Sequence, residues 1–422
     1  MNQQEFESNL RKYAEVLLKV GLNIQPHQRL LIGHSTRGNR TELEMAPLVR
    51  VITEQAYKMG IPLVEVMWDD RELNRLRVEH AAEETLGMTV DGRFQVNEEF
   101  GEKGDAMLSI YAEDPDLYEG LDLGRVSKLQ TGMRQRAHKM TNHAIGKNAT
   151  NWLLASAPLP GWSQKIFPGV SPEEAKAKHW DAIFKICRVY ENDPVAAFKA
   201  NVKQLGIRAK ALTQKRYDAL KYTAPGTELT IGLPKGHIWK GGGQESANGI
   251  FYVANVPTEE VYTLPDRLRV NGTVQASKPL NLGGVLVDNF SLTFAEGKVV
   301  DLQAKEGEEA LRNLVNTDES ASYLGEAALV PHSSPISQSN ILFYNTLYDE
   351  NAANHLALGT AYRTSLKGGV DMTDDEFMAA GGNVSLIHTD FMIGSGEMDV
   401  DGIHKDGTSE AVMRNGEWAF DN

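Results

Sequence analysis

Near residue 220 the hydrophobic pattern of this chain changes period, and that switch limits what it can fold into. Upstream, short apolar runs of strand length alternate with runs at helical spacing. Residues 5–20 place Phe6, Leu10, Tyr13, Val16, Leu17 and Val20 on one helical face, and RLLIG (29–33) follows as a strand. The pair repeats, with a helix over 45–59 (Leu48, Val51, Ile52 and Ala56 inward) and a strand in PLVEVMW (62–68). Further strands are expected in AMLSIY within 104–111 and NWLLASA (151–157), and helices over 125–144 and 171–185, with PLPGW (158–162) as a loop. This alternation is the mark of α/β layering.

A helical run over 194–220, bounded by turn chemistry on both sides, reads as a bridge. Beyond it, residues 227–300 are rich in β-branched residues with Gly and Asn turns, and the Asp-Gly and Asn-Gly pairs of 400–418 signal hairpins. The expectation is an α/β N-terminal domain over 1–195, followed by a mixed α+β, strand-rich catalytic domain over 196–422.

Composition narrows the function. The 422 residues carry 43 Lys and Arg against 57 Asp and Glu, a net charge of −14. An acidic surface repels phosphate backbones, so no nucleic-acid partner is expected. No apolar stretch approaches the roughly 20 residues that span a bilayer, so no membrane partner is expected either. The first ten residues show neither a basic nor an apolar leader region, and Cys187 is the single cysteine, which together point to a cytoplasmic protein. Any metal must then be held by His and carboxylates.

Familiar catalytic signatures are missing. Gly241 to Gly243 lacks the Lys-Ser/Thr of a phosphate loop, no H-E-x-x-H or G-x-S-x-G occurs, and Asp399, Asp401 and Asp406 do not fit an EF-hand and read as hairpin turns. The second half offers other candidates. In VSLIHTDFMIG a strand period of two puts His388 and Asp390 on one face; an isolated His–Asp hydrogen bond on a sheet fits the same tripeptide. Glu326 opens an apolar run over 326–330, and a carboxylate there must face solvent or find a cation. In TLYDENAANHLALGTAY a helix capped by Asp349 and ended by Gly359 would put His355 mid-helix, as a ligand or as a core histidine. Glu259 and Glu260 lie in an extended-looking segment that sends them to opposite faces, with Glu260 expected inward. Charges implausible one by one become plausible around a metal pair, and oxygen and imidazole ligands suit zinc, cobalt, manganese or magnesium.

These segments, NVPTEEVYTLPDR, YLGEAALVP, ILFYNTLYDENAANHLALGTAY and HTDFMIGSGEMDVDG, together with the stretch from Trp239 to Gly242, resemble the aminopeptidase T and aminopeptidase S family of metallopeptidases, also called thermophilic metalloprotease-like. The resemblance covers most of 225–405. It implies two divalent metal ions held by Glu260, Glu326, His355, His388 and Asp390, with Glu350 as a further ligand and Tyr362 assisting catalysis. It implies a homodimer whose subunits enclose the sites, and removal of N-terminal residues from peptides with a free N-terminus, with broad tolerance. A metal pair can activate a water and clamp the peptide carbonyl. Glu326 is the expected bridge, Glu260 or a neighbouring carboxylate the proton acceptor, and Tyr362 a donor to the oxyanion. The rival readings are a dinuclear amidase or phosphoesterase acting on a non-peptide substrate, and a degenerate, non-catalytic α/β binding protein.

Overall fold

The computed structural model describes residues 1–33, 41–112, 114, 116–140, 148–282 and 285–420. The chain divides into two compact units, one formed by Met1–Ala200 with Gly243–Pro257, the other by Asn201–Gly242 with Thr258–Asn422. The first is an α/β unit and the second is mixed and strand-rich.

In the first unit, β1 (Leu30–Ile32), β2 (Val64–Val66), β3 (Ala106–Ile110) and β4 (Trp152–Ala155) form a parallel sheet in the order β2-β1-β3-β4. Parallel neighbours require crossovers, which here include helices Ala46–Lys58, Arg71–His80, Gly92–Glu102 and Leu123–Met140. Helix Gln3–Val16 starts on a capping box, in which Asn2 accepts from the Glu5 N–H and Glu5 accepts from the Asn2 N–H. Segment Gly243–Pro257 returns to this unit, whereas the sequence reading assigns everything after residue 195 to the second domain. The reason is an open sheet edge: Leu154 N–H donates to Ala254 O at 2.7 Å and Val256 N–H to Leu154 O at 3.0 Å, extending the sheet beyond β4.

The second unit holds two sheets. One runs through β5 (Lys240–Gly241), β6 (Val261–Thr263), β7 (Leu324–Leu329), β8 (His355–Gly359) and β9 (His388–Met392), antiparallel throughout, in the order β9-β8-β7-β6-β5. The other has nine strands drawn from 219–306 and 399–418. A shared core closes between them, with Val261, Leu329, Leu356 and Phe391 from the first sheet, Trp239 from the segment just ahead of β5, and Leu220, Leu229, Ile231 and Phe290 from the second. The rings of Phe290 and Phe391 meet across it at 5.9 Å.

Several local expectations change. PLPGW is not a loop, because Pro160 opens helix Pro160–Ile166 from its first turn, where a missing N–H costs nothing. The long helix Pro194–Lys215 stops short of Leu220, which belongs to strand Ala219–Ala224. The helix expected over 125–144 runs to Met140; residues 141–144 lie outside the described residues, as do 283 and 284 in the strand-rich run.

His355 is not in a helix. Asn345, rather than Asp349, caps the short helix Thr346–Asp349 by accepting from the Leu347 N–H, and Asp349 accepts from the Phe343 and Asn345 N–H groups at 2.9 Å each. A single 3-10 turn, Glu350–Ala352, follows, Ala353 turns extended, and His355 begins β8. Every residue of β8 is buried, and a segment packed on both faces shows no period to read.

Candidate metal centre

Alternation along the five-stranded sheet separates a core face from a polar one. Val261 of β6, Ala327 and Leu329 of β7, Leu356 and Leu358 of β8, and Phe391 of β9 all enter the core between the sheets. Their neighbours Tyr262, Glu326, Ala328, His355, Ala357 and Asp390 therefore face the other way, and His388 shares the parity of Asp390. The register agrees: Glu326 pairs with Ala357 and Ala357 with Asp390, while Ala328 pairs with His355.

β7 needs a device to achieve this. Leu324 and Glu326 have the same parity, yet Leu324 is in the core. A bulge between them resets the register, and Gly325 occupies it, where a Cβ would stand 2.3 Å from Thr360 O and 2.4 Å from Gly359 O. Glu326 is thus the third residue of β7 and not the head of a strand, as read from sequence.

Among the described residues, two groups could hold a cation, with ligand atoms within 4.8 Å of one another. These are Glu260 with Glu326 and His355, and Glu326 with His388 and Asp390. Glu326 belongs to both. His355 Nε2 lies 3.2 Å from Glu260 Oε2 and 3.8 Å from Glu326 Oε1; His388 Nε2 lies 3.4 Å from Glu326 Oε2 and 3.5 Å from Asp390 Oδ1. Both rings are oriented from behind, with His355 Nδ1 3.1 Å from Ala353 O and His388 Nδ1 2.8 Å from Thr360 O. An Nδ1–H donated to a carbonyl turns Nε2 toward the carboxylates, so that a metal displacing the Nε2 proton would find the tautomer it requires.

Electrostatics describe a site short of positive charge. Burial by itself lowers the His355 and His388 imidazoles, but Glu260 and Glu326 facing the first, and Asp390 and Glu326 facing the second, outweigh it and hold both well above their ordinary value. Burial raises Glu260 and Glu350. Asp390, which burial would raise, is drawn below its ordinary value by His388. Each buried carboxylate costs several kcal/mol to desolvate without a counter-charge. Glu260 Oε2 is buried and, although close to His355, makes no well-aligned hydrogen bond. A buried carboxylate oxygen that makes no hydrogen bond, beside an imidazole nitrogen that a divalent cation would compete for with its proton, fits a site built from N and O ligands.

Glu350 lies within electrostatic reach of Glu260, Asp390, His355 and Glu326 but outside both three-residue groups. Asn351, fully buried, accepts from the Glu259 N–H at 2.7 Å and donates to Leu347 O at 3.1 Å, tying the Glu259–Glu260 segment to the turn that carries Glu350. Glu259 and Glu260 are both buried, and Glu259 attracts Arg208. Tyr362 stacks obliquely on His388, with ring centroids 4.9 Å apart, and on Tyr262 at 5.7 Å. It stays 48 % exposed while its surroundings desolvate the hydroxyl and, with Glu326 and Asp390, push its pKa up. An open ring with a crowded hydroxyl is what the wall of a cleft presents, and a phenol held neutral is a donor. Gly325, Asn351 and Tyr262 were missed in sequence; only Tyr262 had a signal, two residues beyond Glu260 on an extended segment.

The protein-family model described as Thermophilic metalloprotease (M29) matches residues 6–418. Among curated relatives the chain is 44% identical over 418 residues to Aminopeptidase 2 of Geobacillus stearothermophilus, covering 99% of each chain. It is 42% identical to Aminopeptidase AmpS of Bacillus subtilis and 41% identical to Aminopeptidase T of Thermus thermophilus, in both cases over 98% of this chain and 99% of the relative. Among solved structures, wild-type AmpT from Thermus thermophilus matches with a TM-score of 0.91 at 40% identity, covering 98% of this chain and 100% of that one.

Proposed function

The chain belongs to the thermophilic metalloprotease family and is a metalloaminopeptidase, and from that premise we propose that it removes N-terminal residues from peptides, with broad tolerance, at a site built for two divalent ions. The observation that carries the dinuclear reading is the shared carboxylate, since Glu326 turns one oxygen to each of the two ligand groups. Glu260, Glu326 and His355 would hold one ion, and Glu326, His388 and Asp390 the other. Two such ions supply Lewis acidity and an activated water. Zinc, cobalt, manganese and magnesium all suit the ligands, and availability selects among them.

The chain's own side chains supply the rest. Glu350, close to the cluster but outside both groups, accepts the proton of the attacking water and passes it to the leaving amine, so that Glu260 is free to serve as a ligand rather than as the base. The Tyr362 hydroxyl donates to the carbonyl oxygen as negative charge builds on it.

The proposed setting is a cytoplasmic homodimer, resting on the family resemblance and on the single, buried Cys187. Among the described residues no helix is long and apolar enough to cross a membrane. The decisive experiment compares metal-stripped protein with protein reloaded with zinc, cobalt, manganese or magnesium on unblocked aminoacyl p-nitroanilides, N-acetylated peptides and phosphoesters. Metal-restored cleavage of the unblocked substrates alone supports the reading. Equal cleavage of acetylated peptides, or preference for phosphoesters, overturns it.

A further inference from the structure

The polar face of the five-stranded sheet holds one cation that the proposed chemistry does not use. Lys240 lies on β5, the edge strand, directly opposite Tyr262 in the antiparallel register, so the two side chains share a face. The neighbouring residue gives the same answer independently. A Cβ at Gly241, the other residue of β5, would stand 2.6 Å from Val261 Cγ1 on the core side, so Lys240 points away from that core, to the side that carries Glu326, His355 and Asp390. Tyr262 then connects Lys240 to the cleft, because its ring meets Tyr362, which meets His388.

Lys240 is half-buried, and among the described residues no ion pair or hydrogen bond of its ammonium is found. Burial lowers its pKa and no acidic group acts to raise it, which distinguishes it from the two imidazoles of the site. A desolvated ammonium without a counter-charge, on the wall of a site that handles peptides, has the chemistry of a carboxylate receptor.

Spacing selects which carboxylate. Adjacent strands stand about 4.8 Å apart, so Lys240 on β5 lies roughly 10 Å from β7, where Glu326 sits, and a lysine side chain covers part of that gap. A peptide advances about 3.3–3.6 Å per residue, so the α-carboxylate of a dipeptide or tripeptide whose first peptide bond is at the metal ligands falls within reach. We propose that Lys240 is a specificity-determining residue that binds the C-terminal carboxylate of short peptides and so favours di- and tripeptides over longer ones. This inference rests on the aminopeptidase reading of the same site.

The test uses the metal-loaded enzyme on a dipeptide and a tripeptide, each as the free acid and as the C-terminal amide, with an aminoacyl p-nitroanilide as the substrate that lacks the carboxylate. The wild-type enzyme is expected to show a lower KM for each acid than for its amide. In Lys240→Met, which keeps the apolar stem, KM for the acids should rise at least about tenfold, the cost of one charge-assisted contact, with the p-nitroanilide rate unchanged, and Lys240→Arg should restore most of the preference. Equal KM for acid and amide in the wild type overturns the inference without any variant, as does a Lys240→Met change that weakens acid and amide alike. Failure of the wild-type enzyme to cleave any unblocked substrate instead overturns the aminopeptidase reading on which it stands.

Discussion

Glu326 Oε2 lies 3.4 Å from His388 Nε2, while the other oxygen of the same carboxylate faces His355 at 3.8 Å. One side chain therefore serves two ligand groups, and its removal should be felt at both. Glu326→Ala is expected to lose both ions and nearly all peptide hydrolysis, whereas Asp390→Ala should lose only the ion shared with His388. Elemental analysis of the purified variants, alongside kcat, checks this; equal stoichiometry in the two variants would contradict the bridging role.

The bulge ahead of Glu326 gives a backbone test of the same geometry. A methyl at Gly325 would meet two carbonyl oxygens at 2.3 and 2.4 Å, neither on a flexible side chain. Gly325→Ala should cost about 1–3 kcal/mol of stability as the strands shift apart. It should also reduce metal affinity, because the bulge sets the face on which Glu326 lies. A melting temperature and a metal titration measure the two effects, and wild-type values for both would show that β7 accommodates the methyl without moving its carboxylate.

How much of this was readable beforehand depended on whether one face of each segment differs from the other. His388 and Asp390 alternate with Thr389 and Phe391, so their common face follows from period alone, and the structure has both on β9. β8 buries both faces, so HLALG carries no period, and the helical signal of the preceding TLYDENAA spilled across His355. The α/β texture of the first unit was legible because its strands and helices alternate at different periods. The return of Gly243–Pro257 to that unit was not, because it depends on backbone hydrogen bonds to β4, which leave no mark on side-chain pattern. The bulge at Gly325 was hidden for a similar reason, since a lone glycine in an apolar run fits several conformations.

Tyr362 offers a test that separates chemistry from packing. Its ring already packs on His388 and Tyr262, and both contacts survive loss of the hydroxyl. Tyr362→Phe should therefore keep its metal and its melting temperature while kcat falls by roughly 10²-fold or more, the usual cost of removing one oxyanion donor. An unchanged kcat would reduce the tyrosine to a wall of the cleft.

A titration within the first unit is expected to shape stability. Glu42 is 7 % exposed, and burial raises its pKa from 4.5 to about 7, against the opposing pull of the Arg71 backbone N–H and charge. A carboxylic acid whose pKa is raised by folding binds its proton more tightly in the folded state than in the unfolded one. Below pH 4.5 both states are protonated and no penalty arises. Between 4.5 and about 7 the folded state loses stability as pH rises, and above 7 the full penalty applies, about 2 kcal/mol once solvent screening is allowed for. Glu42→Gln keeps a carbonyl to accept from the Arg71 N–H and has nothing to ionise. It should melt higher than the wild type at pH 8 and close to it at pH 4.5, with the difference opening between; a constant difference across that range would mean that Glu42 does not titrate there.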